Sequence, residues 1–143
     1  MSHTWTERRI GNRLMVYRDG LPYVYVAKAR AIPHGDGLFA ARMFPKNATI
    51  AMYDGIEIAD YNGQNEYVAC IQRKGCPFVF VDGEKMGPPY AQKINDAVRT
   101  PYKNNARMKG SGKIIATRTL IKDDEILMSY GRSYWTHHSK RLR

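Results

Sequence analysis

The sequence is poor in cysteine, in long apolar runs and in acidic side chains. Of its 143 residues two are cysteine and 13 are Asp or Glu, against 23 Lys or Arg. Cys70 and Cys76, spaced C-x5-C, have no plausible His pair with which to complete a four-ligand zinc site. They read as reduced thiols of a cytosolic or nuclear protein, and no metal site is expected. The longest apolar runs, such as Phe78-Val79-Phe80-Val81, fall far short of the roughly 20 residues of a spanning helix. The N-terminal Met1–Arg9 has no apolar stretch of the signal-peptide kind. Repeats, low-complexity tracts and linkers are absent too, so one domain over 1–143 is expected, with a basic tail at 136–143. What is present is ordinary for a globular chain: 43% hydrophobic and 25% charged residues, which argues against intrinsic disorder.

The formal charge of +10 points to a polyanionic partner, but it is unevenly spread. Residues 1–50 hold eight basic and three acidic side chains, residues 51–100 five against seven, and residues 101–143 ten against three. Basic flanks therefore enclose a mildly acidic middle. The flanks suit non-specific contact with DNA or a nucleosome. The middle, with Glu57, Asp60 and Glu66, suits a basic peptide.

Short β segments separated by breakers dominate the pattern. Leu14–Tyr17 and Tyr23–Ala29 alternate around Asp19-Gly20, a hairpin signal. Leu38–Arg42 and Thr49–Tyr53 flank a turn at Pro45–Ala48, and Phe78–Val81 ends at Asp82-Gly83. Lys113–Thr119 and Glu125–Tyr130 close the series. Helix is expected only over Asn65–Gln72 and near Tyr90–Ile94. The class is mainly β. Two stretches without legible structure, 60–75 and 96–112, are long for idle loops in a compact domain.

Three stretches are more specific. The first is Gly35-Asp36-Gly37-Leu38-Phe39-Ala40, followed by Phe44-Pro45-Lys46-Asn47 and Tyr53-Asp54-Gly55. The second is Phe78–Gly83, then Gly87 and Ile94-Asn95. The third is Ile115–Ile121 followed by Asp124–Trp135, containing Ser129-Tyr130-Gly131. In this order and spacing, over 31–135, they resemble the SET domain of protein-lysine methyltransferases, in particular compact virus-encoded members. That resemblance implies several short-stranded sheets, few short helices and a knot-like threading near the C-terminus. It also implies S-adenosylmethionine as cofactor, a lysine as acceptor with a histone tail as the commonest source, and a nuclear location (the host nucleus for a virus-encoded member). A homodimer is compatible with it, and a membrane has no part in it.

Residue by residue, the resemblance makes Tyr130 the catalytic tyrosine, with Tyr67 as a second channel tyrosine. Tyr134 stands where Tyr or Phe affects the number of methyl groups added. Gly35, Asp36 and Gly37 would bring backbone close to the methionine moiety, since glycine leaves room for close approach. Asn95 would bind the amino-acid end of the cofactor, Asp96 and Trp135 would lie by the adenine, and Tyr130 would also border the cofactor. Three departures stand out: Asn95-Asp96 for Asn-His, Gly87-Pro88 for Gly-Asn, and a rebuilt 97–105 segment in place of a compact Ser-Cys-x-Pro-Asn. They keep open a second reading, a SET-fold module that binds cofactor or peptide without catalysis. A third is a small basic nucleic-acid-binding protein of another family.

Overall fold

The computed structural model describes residues 2–58, 67–72 and 79–131. Ten strands follow one another: β1 Trp5–Ile10, β2 Arg13–Arg18, β3 Leu21–Lys28, β4 Asp36–Ala40, β5 Thr49–Met52, β6 Ile56–Ile58, β7 Val68–Ile71, β8 Val79–Asp82, β9 Ala106–Met108 and β10 Lys113–Ala116. Among the described residues the one helical element is a 3-10 turn, Ala91–Lys93. The strands form three small antiparallel sheets, ordered β1-β2-β3-β4, β5-β10-β9 and β6-β8-β7.

The first sheet is a meander, and its middle hairpin turns at Asp19 (φ 52°) and Gly20 (φ 82°). Two successive positive φ angles match the right-handed twist of the flanking strands, which is why Asp-Gly is read as a hairpin. Beside that turn the β2–β3 register shifts between Val16 and Tyr17. Tyr23 joins Val16, Val24, Leu38 and Ala40 in the main core, and its hydroxyl donates to the Ile50 carbonyl at 2.5 Å. Ile114, Leu120, Ile126 and Met128 meet Ile71 and Val81 of the third sheet in that same core. The opposite face of the meander carries a separate small cluster of Tyr25, Phe39 and Ala41.

Several elements, the short β6 among them, depart from the sequence reading. The expected helix over 65–72 is replaced by β7. Its Val68 and Ile71 are buried, and the β-branched run pairs with β8, so tertiary pairing overrides a weak local preference. Glu125–Tyr130 does not form one strand but makes single bridges to Phe39, Asn95 and Ala106 in different parts of the fold. Strand β1 is an edge strand of nearly all exposed residues, so it has no apolar alternation to announce it. β9 lies inside the stretch 96–112 that looked structureless.

Two tyrosines tie distant parts of the chain. Tyr25 donates to Asp123 Oδ1 at 2.8 Å, and Tyr90 donates to Glu7 of β1. Burial, then the carboxylate partner and its charge, push each hydroxyl up to about 12 from an ordinary 10. The folded state therefore favours the protonated form. The stability this contributes is complete below pH 10 and is lost as pH rises towards about 12. Tyrosinate absorbance is expected to develop in two phases. The Tyr25→Phe variant should lose amplitude only from the later phase, near pH 12, and loss from the earlier phase would contradict the assignment.

Candidate active site

The chain folds back on itself where the third motif meets the second. The Met128 N–H donates to the Asn95 carbonyl at 3.0 Å, while the Asn105 and Ala106 N–H groups donate to the Leu127 carbonyl at 2.8 and 3.0 Å. Leu127-Met128 thus lies between the 95 and 105–106 segments, and the 97–104 loop spans from one side of it to the other. This is the expected knot-like threading, an exception to the usual avoidance of threaded connections. Asn105, buried, clamps it with its side chain: Nδ2 donates to the Glu125 carbonyl and Oδ1 accepts from the Leu127 N–H, both at 2.9 Å.

The threading delivers Tyr130 to the segment that carries Asn95. Its hydroxyl donates to the Ile94 carbonyl at 2.5 Å, and its ring is partly buried against the core. Its backbone N–H donates to Asp96 Oδ2 at 2.9 Å. Asp96 Oδ1 accepts from the Val98 N–H at 2.9 Å and from Asn104 Nδ2 at 3.2 Å. Asn104 Oδ1 accepts in turn from the Ala97 N–H at 2.9 Å. Asp96 is only 2% exposed, so its carboxylate stands in the interior with its donors. A buried carboxylate is tolerable because several hydrogen bonds satisfy it.

Asn95 is held from the other side. Its Nδ2 donates to the Asp36 carbonyl at 2.9 Å and lies 3.4 Å from Glu125 Oε2. Glu125, buried, accepts through Oε1 from the Arg30 and Ala31 N–H groups at 2.9 and 2.8 Å. One carboxylate therefore fixes the approach to the Gly-x-Gly turn and also touches Asn95. Sequence reading gave Glu125 no role; its position at the end of the acidic run Asp123-Asp124-Glu125, before an apolar run, was the available signal. The two glycines differ in purpose. At Gly37 a Cβ would sit 2.5 Å from Glu125 Oε2 and 3.3 Å from the Ala29 Cα, so its bare backbone makes room for the carboxylate. At Gly35 φ is +86° and nothing lies within 4 Å of a Cβ, so open space borders this turn. Asp36 is exposed, with Lys93 Nζ 4.0 Å from its Oδ2.

The remaining expected residues lie elsewhere or outside the described residues. Tyr67 precedes β7, and its carbonyl accepts from the Tyr53 hydroxyl at 2.6 Å and from the Gly83 N–H at 3.0 Å. Tyr53 of the first motif and Gly83 of the second thereby meet at Tyr67. Glu57 is exposed on β6, opposite Val81. Asp60, Glu66, Tyr134 and Trp135 lie outside the described residues. The structure thus brings Gly35, Asp36, Gly37, Asn95, Asp96 and Tyr130 into one bonded constellation and sets Glu57 on the third sheet and Tyr67 just before it.

The constellation fits the amino-acid end of S-adenosylmethionine. With its amide donor engaged, Asn95 Oδ1 accepts no hydrogen bond among the described residues, which suits an ammonium group. The open side of Gly35 lies next to the Asp36 carbonyl that Asn95 holds.

No family model and no curated protein matches the chain. Solved structures do. A Plasmodium falciparum protein assigned to the histone methyltransferases superposes with a TM-score of 0.53 at 23% identity, over 79% of this chain and 96% of that one. The methyltransferase domain of human PR domain-containing protein 2 gives 0.61 at 15% identity, over 78% of this chain and 80% of that one. The chain has the SET fold of these methyltransferase domains. Neither neighbour is viral, so the likeness to virus-encoded members rests on the motifs alone.

Proposed function

We propose that this chain transfers methyl groups from S-adenosylmethionine to a lysine side chain of a protein, with a histone tail as the leading acceptor. The observation that carries this reading is the Tyr130 hydroxyl held 2.5 Å from the Ile94 carbonyl, directly before Asn95, in a fold shared with methyltransferase domains.

When bound, the cofactor supplies an electrophilic methyl group on a sulfonium and leaves as a thioether. Asn95 Oδ1 and the main chain at Gly35–Gly37 would hold its amino-acid end. Trp135 is assigned to the adenine. Tyr130 has spent its hydroxyl proton on the Ile94 carbonyl, so toward an incoming amine it presents lone pairs. It accepts an amine N–H, orients the nitrogen and leaves the nitrogen lone pair for reaction. The Ile94 and Tyr130 oxygens would also be available as acceptors for weak C–H bonds from a methyl group brought to them. A lysine ammonium must first lose its proton, and a desolvating site beside positive charge favours that loss to water. The hydrogen bonds of Asp96 tie it and the 97–104 loop to the Tyr130 backbone, which supports the catalytic reading over a module without catalysis. Tyr67 is assigned to the wall of the lysine channel and Tyr134 to the control of methyl number.

The acidic middle is assigned to the peptide side, with Glu57, Asp60 and Glu66 as the carboxylates that would attract a basic segment. The reading is tested by following labelled methyl transfer to core histones. In that assay reversing the charge of Glu57, Asp60 and Glu66 together should raise KM for a basic peptide about tenfold with kcat little changed. An unchanged KM would remove these residues from the peptide site. No labelling by folded, cofactor-binding protein would favour the module.

A further inference from the structure

The outer face of the first sheet is built unlike an ordinary solvated surface. One cross-strand row runs Arg8, Met15, Tyr25, Phe39 over all four strands. The Tyr25 and Phe39 rings lie parallel, 5° apart in plane and 5.1 Å between centroids. Two guanidinium groups roof them: Arg13 at 4.4 Å from the Tyr25 centroid and Arg30 at 5.3 Å from that of Phe39. Both arginines are exposed, and Arg8 at the end of the row is exposed as well.

Among the described residues negative charge is sparse on this face: Asp123 approaches it, 3.5 Å from Arg13 Nη1 and bonded to the Tyr25 hydroxyl. The other acids of the first fifty residues are engaged elsewhere: Glu7 with Tyr90, Asp19 with His3, Asp36 near Lys93. The face thus carries Arg8, Arg13 and Arg30, of which Arg13 pairs with the Asp123 carboxylate, and Lys122 is exposed beside Asp123.

A guanidinium stacked on a ring lies flat and keeps its in-plane N–H donors at its edge. Its rotamer is already restricted, so little further order is needed to place a fork on a phosphate. We propose that this face binds the phosphate backbone of double-stranded nucleic acid without sequence preference, through Arg8, Arg13 and Arg30. The rings are covered by the arginines and offer no platform for unstacked bases, which favours a duplex over a single strand. A duplex here lies on the side of the sheet away from the core against which Tyr130 packs.

The test is anisotropy of a short mixed-sequence duplex DNA titrated with the full chain at several salt concentrations. Three phosphate contacts predict that this face contributes about 2.7 to the log–log salt slope, or a roughly 40-fold loss of affinity between about 50 and 200 mM salt. Replacing Arg8, Arg13 and Arg30 by Gln should remove that share. An equal change of charge at Arg107, Lys109 and Lys113, on and beside β9 and β10, should cost at most about threefold. If the ring-covering arginines prove necessary for folding, Arg8→Glu, which touches no ring, should still weaken binding about tenfold. Equal losses in both triple variants, or no loss with Arg8→Glu, would overturn the proposal. So would stronger binding of polyglutamate than of DNA at equal salt, which would assign the face to an acidic protein.

Discussion

Tyr130→Phe is expected to lower methyl transfer by about 10²–10³-fold while the protein stays folded. The change deletes one oxygen. The Tyr130 N–H keeps its bond to Asp96, and the ring keeps its place against the core. The lost hydrogen bond to the Ile94 carbonyl costs about 1 kcal/mol of stability, too little to unfold a domain. What disappears is the acceptor that fixes the amine, an interaction that matters most at the transition state. The loss should therefore appear in kcat, with KM for peptide and affinity for cofactor within about threefold of wild type. A kcat within that margin of wild type would deprive Tyr130 of its role.

The largest loss of stability is expected at a residue that touches no ligand. Asn105→Ala removes the side chain that joins the Glu125 carbonyl and the Leu127 N–H across the threading. Both groups are then buried without partners, at about 2–4 kcal/mol together, or a Tm lower by about 10 °C in a domain of this size. Asn105→Asp separates hydrogen bonding from volume. It retains an acceptor for Leu127 but opposes a carboxylate oxygen to the Glu125 carbonyl, so a similar loss is expected. A Tm within about 2 °C of wild type for both variants would show that the clamp is dispensable.

Local chemistry made the meander and the site motifs legible. Asp19-Gly20 dictated a hairpin because it accepts the φ angles the turn requires. Gly35, Asn95 and Tyr130 stood out through motif order, and the fold brings them together. Less visible was the apparatus between them. Asp96 looked like a stray carboxylate at a ligand site. Its real partners, Val98, Asn104 and the Tyr130 N–H, are set by a threading that no periodicity reports. Glu125 acts through an oxygen placed over Gly37, a close approach that appears only once β4 has formed. The 65–72 segment misled for the opposite reason: a short apolar run fits either period, and pairing with β8 decided it.

The central claim is that the constellation around Tyr130 methylates lysine. Its most direct test is mass spectrometry of core histones, and of their digests, after incubation with the protein and S-adenosylmethionine. The predicted result is a mass gain in whole methyl increments localised to lysine, abolished by Tyr130→Phe. Unmodified histones and lysate proteins, from wild-type protein shown to be folded and to bind the cofactor, would contradict it.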